Sequence, residues 1–92
     1  MVKHRLYNER AAIAGQCEIA RRRFAIDISD ITTDGCLVRA QSDCDWGTDA
    51  DFLQLRIAGR IDVNGRVQHC DGREAQIRFY GQLHPRVVDD LY

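Results

Sequence analysis

The strongest constraint on this chain is a period of two in its apolar residues, repeated in short runs broken by turn signals. Phe24, Ile26 and Ile28 alternate with Ala25, Asp27 and Ser29, and Leu53, Leu55 and Ile57 alternate with Phe52, Gln54 and Arg56. Successive side chains of a strand point to opposite faces, so such a run offers one face to a core and one to water. Cys36, Val38 and Ala40 form a shorter run of the same kind, as do Ala75, Ile77 and Phe79. Between Ala11 and Ile19 the apolar positions Ala11, Ile13, Cys17 and Ile19 share one parity, interrupted by Gly15. That pattern predicts a strand with a bulge or bend at the glycine. Ile61, Val63 and Val67 predict a fifth strand with Asn64-Gly65 inside it. An Asn-Gly pair normally marks a two-residue hairpin turn, and here it either splits the run or marks a bulge.

Six short strands with turns every 8–12 residues indicate a small antiparallel barrel or sandwich, and closure into a barrel removes exposed strand edges. Pro85 is suited to the first turn of a helix, and Val87, Val88, Leu91 and Tyr92 would share one of its sides. The expected fold is all-β: a six-stranded antiparallel barrel over residues 11–92, with a short C-terminal helix capping one mouth. Residues 1–10, MVKHRLYNER, are polar and basic without a period, and are expected to form a flexible arm.

Ninety-two residues suffice for one domain with a modest core. No apolar run approaches the roughly 20 residues of a membrane-spanning helix, so no membrane insertion is expected. No apolar segment follows Met1–Arg5, and a cytoplasmic location is the corresponding expectation. The net charge is −1, yet twelve of the thirteen basic residues are arginine. A near-neutral chain with few aromatics argues against broad nucleic-acid binding, which needs a strongly basic face. Arginine's planar fork instead suits a small phosphate-bearing ligand or the O6/N7 edge of a guanine. Cys17, Cys36, Cys44 and Cys70 match no zinc module and read as reduced thiols, some of them filling core.

Asp30-Ile31-Thr32-Thr33-Asp34-Gly35 lies between the second and third runs. Its carboxylate and hydroxyl can hydrogen-bond neighbouring amides or a ligand. Gly35 suits either a positive φ or a close approach to the backbone. Arg10 stands directly before the first strand, with Arg5 further out on the arm.

Arginines ahead of the first strand, then a D-x-S/T-x-x-G turn between strands two and three: this arrangement resembles the PilZ domain family. The likeness runs through Gly65-Arg66-Val67 to the closing helix. Members carry R-x-x-x-R near the N-terminus and [D/N]-x-S-x-x-G after the second strand, on a split barrel. Here Asp30, Thr32 and Gly35 take the second motif's places, with threonine for serine. Arg5 and Arg10 stand for the first, separated by four residues instead of three. The resemblance implies a bacterial receptor for the second messenger cyclic di-GMP that acts on a partner protein. It places the ligand against Arg5, Arg10, Asp30, Thr32 and Gly35. Arginines would clamp phosphates or read guanine edges, Asp30 would accept from guanine N–H groups, and the arm would order over the ligand. The alternative implied by the altered spacing and by Thr32 is a PilZ-like interaction module that no longer binds the nucleotide.

Other constellations carry less. Asp43, Asp45, Asp49 and Asp51 suggest a calcium loop, but the sixth and twelfth positions hold Thr48 and Gln54 where glycine and glutamate belong. A solvated acidic loop fits better. His69 and Cys70 are adjacent on a strand and face opposite ways. No triad order or phosphate-cradling glycine loop occurs, so no enzyme is expected and no cofactor or metal is implied. Trp46, the only tryptophan, packs on the barrel rim or lies exposed for a partner.

Overall fold

The computed structural model describes residues 12–41, 46 and 52–91. Among the described residues there are six strands: β1 (Ile13–Ile19), β2 (Arg22–Ser29), β3 (Gly35–Ala40), β4 (Leu53–Ile57), β5 (Ile61–Asp71) and β6 (Glu74–Phe79). One helix, α1 (Pro85–Leu91), follows them. The sheet closes in the order β1-β2-β3-β6-β5-β4 with every pairing antiparallel. The all-β barrel expected from the alternation is therefore the fold. Inward positions of each run supply the core, led by Ile26, Ile28, Leu53, Leu55, Ile57 and Ile77.

The first strand differs from expectation. β1 is continuous, and Gly15 keeps register with both Ile26 and Ile57. A Cβ there would stand 2.5 Å from Ile28 Cδ1 and 2.7 Å from the Arg56 carbonyl oxygen. The glycine thus lets neighbouring strands close in; it introduces no bulge. Asn64-Gly65 likewise makes no turn. It lies inside β5, where Gly65 pairs with Leu53 on one side and Phe79 on the other. The irregularity of β5 falls just beyond, between Val67 and His69, where Gln68 is the extra residue.

The two mouths are closed differently. At one, β1 and β5 begin and β2, β4 and β6 end; Leu83, Val88 and Leu91 of the C-terminal segment pack against the core there. At the other, Trp46 is buried, with its ring edge-on to Phe24 at a centroid distance of 5.5 Å. Of the two places open to Trp46 in the sequence, rim or exposed surface, its burial excludes the second, and the ring plugs this mouth.

The β1–β2 hairpin turns through Ala20 and Arg21, at φ of 51° and 68°, between the paired Ile19 and Arg22. A two-residue turn with both φ positive is the primed type, which favours Asn-Gly because a Cβ is strained in that region. Substituting Ala20→Asn together with Arg21→Gly is expected to stabilise the protein by about 1 kcal/mol, read as a rise in Tm of about 4–8 °C.

Candidate functional site

Asp30 follows β2 with φ of 51°, a left-handed conformation that aspartate tolerates better than most residues. The kink turns Ile31 into the core, where it is buried, and leaves Asp30 exposed. Thr32 then fixes the loop. Its Oγ1 accepts from the Asp34 and Gly35 amides, both at 3.2 Å, and donates to the Gly35 carbonyl at 3.3 Å. A hydroxyl offers one donor and two acceptor positions, so all three are engaged within the loop. The Thr32 amide adds a bond to the Gly35 carbonyl at 2.9 Å. Of the two uses open to this hydroxyl, the structure gives it the neighbouring amides.

The far side of the loop is tied to the end of β6. Phe79 N donates to the Asp34 carbonyl at 2.8 Å, and Leu83 N donates to the Thr33 carbonyl at 2.9 Å. Gln82 Nε2 donates to Asp34 Oδ1 at 2.7 Å. The loop is thus held before any ligand arrives.

Gly35 opens β3 opposite Arg78. A Cβ on it would collide with the Ile77 carbonyl oxygen. Positive-φ glycines among the described residues are Gly59 and Gly72, so Gly35 does not serve by left-handed geometry. It serves by close approach, and the backbone that approaches is that of β6.

These residues wall an open cleft of about 420 Å³, whose lining includes Asp30, Thr32, Asp34, Gly35, Gln68, Gln76 and Arg78. Asp30, Thr32 and Gly35, singled out in the sequence, meet there. Arg5 and Arg10 lie outside the described residues, as do the arm and the acidic stretch holding Asp43, Asp45, Asp49 and Asp51. The point where the chain enters β1 is defined, however. Ile13 pairs with Ile28, two residues before Asp30, so the N-terminal segment joins the barrel beside this loop.

Asp34, Gln68, Gln76 and Arg78 escaped sequence reasoning. Arg78 was legible as an outward position on the sixth run, but its place beside Gly35 depends on β3 pairing with β6, a contact between distant segments. Gln68 joins the cleft because the β5 bulge redirects it. Across the sheet Arg78 faces Arg66 in register, and neither belongs to an ion pair among the described residues. Like charges set directly opposite cost a fraction of a kcal/mol, a cost an anionic ligand would relieve. The cleft is therefore lined by both acidic residues and an arginine.

The thiol nearest the cleft is chemically quiet. Burial, and secondarily the neighbouring Cys17, push the Cys36 thiol up to about 12, so it stays protonated at neutral pH. Cys17 and Cys36 fill core, as the composition suggested, whereas Cys70 is exposed. Among the described residues no group of His, Cys, Asp and Glu is arranged to hold a metal ion. No helix among them is long and apolar enough to cross a membrane. Comparison with known proteins returns no family model, no curated protein and no solved structure that matches this chain.

Proposed function

We propose that the chain is a PilZ-like receptor for cyclic di-GMP that signals through an N-terminal arm ordered over the ligand and presented to a partner protein. One observation carries this reading: Asp30, Thr32 and Gly35 wall a single open cleft at the barrel end where the N-terminal segment joins β1. The cleft's volume lies within the roughly 300–1,000 Å³ of small-molecule sites. In the sequence Arg10 stands two residues before Ala12, and β1 begins at Ile13, which pairs with Ile28 beside the loop. Asp30 accepts from guanine N–H groups, Arg10 and Arg5 meet phosphates or guanine edges, and Arg78 supplies a cation from the sheet. Thr32 acts by holding the loop, and its added methyl does not alter that use of the hydroxyl.

A second reading has its own support. Phe52 and Tyr80, both exposed, stack with ring centroids 6.3 Å apart on the outside of the barrel, a feature suited to a protein surface. On that reading the domain binds a protein partner and no nucleotide.

Calorimetric titration of the full chain with cyclic di-GMP separates the two. The receptor reading predicts micromolar or tighter binding, weakened at least tenfold, about 1.4 kcal/mol, in Arg10→Ala and in Asp30→Ala. Absence of heat at millimolar ligand overturns it in favour of the interaction module.

A further inference from the structure

We propose that α1 is the output element of the cleft, latched to the ligand loop through Asp34–Gln82 and Thr33–Leu83 and released when a ligand engages Asp34. The release rests on the receptor reading above; the latch itself does not.

The helix is poorly equipped to stand alone. It has seven residues and no fully buried side chain. Isolated helices of fewer than about 12 residues are marginal in water. Asp89 and Asp90 sit in its last turn, where negative charge opposes the helix dipole, and no basic residue offsets them there. Its start is better made: Pro85 occupies the first turn, and His84 Nδ1 accepts from the Arg86 amide at 3.1 Å. What holds α1 to the barrel is the partial burial of Leu83, Val88 and Leu91, together with the two bonds into the loop.

Both bonds reach the loop that walls the cleft. Gln82 Nε2 to Asp34 Oδ1, at 2.7 Å, joins residues 48 apart in sequence, and Leu83 N meets the Thr33 carbonyl at 2.9 Å. Asp34 therefore stands between the two: the residue lines the cleft, and its carboxylate anchors the helix segment. A guanine presents N1–H and N2–H side by side, and a carboxylate that accepts both turns its two oxygens toward the base, which draws Oδ1 away from Gln82 Nε2. Gln82 then loses its acceptor, the 80–84 segment slackens, and the apolar underside of α1 becomes available to a protein partner. Coupling of this kind is reciprocal, so a change that weakens the latch and leaves the cleft's own residues intact should strengthen ligand binding.

Amide hydrogen exchange resolved by NMR on the full chain tests both steps. Without ligand, Gln82→Ala is expected to accelerate exchange at Leu83, Val87 and Val88 about tenfold while Val38 and Ile77 keep their protection. Asp34→Ala should do the same, and the double variant should match either single one, because the two changes remove one bond. Unchanged exchange at α1 in Gln82→Ala overturns the latch, whatever the ligand does. With saturating cyclic di-GMP, wild-type α1 amides should accelerate similarly, and Gln82→Ala should bind roughly three- to tenfold more tightly. Saturable shifts at Asp30 and Gly35 without change at α1 overturn the release and leave the receptor reading standing. No shift at any concentration overturns the receptor reading and the release together, and the ligand-free comparison alone then decides the latch.

Discussion

Replacing Gly35 by alanine is expected to destabilise the protein by about 3 kcal/mol, lowering Tm by on the order of 10–20 °C. The added Cβ would be driven into the carbonyl oxygen of Ile77, with Arg78 Cα also close behind it at 3.4 Å. The obstacle is backbone, held in register by Cys36 pairing with Ile77 and Gly35 with Arg78. A flexible side chain would swing away from such a contact, whereas a strand in a closed barrel can yield only by separating from its neighbours. Gly81→Ala is the control. Nothing lies within 4 Å of its added Cβ, so its cost should stay within about 0.5 kcal/mol. The comparison also decides what the motif glycine is for. If Gly35→Ala keeps full stability and loses only ligand binding, the glycine makes room for a ligand and the strand-packing account fails.

The second large effect belongs to Trp46. Its side chain is buried to 2% exposure and closes the mouth opposite the cleft, against Phe24. Trp46→Ala empties that mouth and should cost about 3–5 kcal/mol, measured by urea denaturation followed by circular dichroism. For a domain of this size that is a large share of the total, which runs to roughly 0.05–0.15 kcal/mol per residue. Trp46→Phe should be far milder, under about 1.5 kcal/mol. It keeps an aromatic ring beside Phe24 and removes an indole N–H that is buried without an acceptor among the described residues. Equal stability of Trp46→Ala and wild type would contradict the plug. The position has a practical consequence too: Trp46 lies at the wrong end of the barrel to report directly on the cleft.

The alternation was enough to read six strands and their inward faces, because a two-residue period leaves a strand little choice about which face it buries; it fitted a sandwich as well as a barrel, and closure rested on the cost of exposed edges. It failed at Gly15 and at Asn64-Gly65 for one shared reason. Both glycines look like local punctuation, but both are required by a neighbouring strand lying too close for a Cβ, and that proximity exists only once the barrel has closed. The carboxylate–hydroxyl–glycine loop was legible from its residue types as a polar turn between β2 and β3, and the resemblance alone singled it out for a ligand. The division of labour within it was not: whether a hydroxyl serves a ligand or its own loop is set by backbone geometry, which the kink at Asp30 determines. Arg78 and the Asp34–Gln82 bond were hidden by sequence distance, since they depend on β3 lying beside β6.

The most direct test of the central claim is a map of amide shifts on titrating the labelled full chain with cyclic di-GMP. The account predicts saturable shifts concentrated at Asp30, Thr32, Gly35, Gln76 and Arg78, with the Trp46 indole signal unmoved. Shifts centred on Phe52 and Tyr80 or around Trp46, or none at saturating ligand, would contradict it.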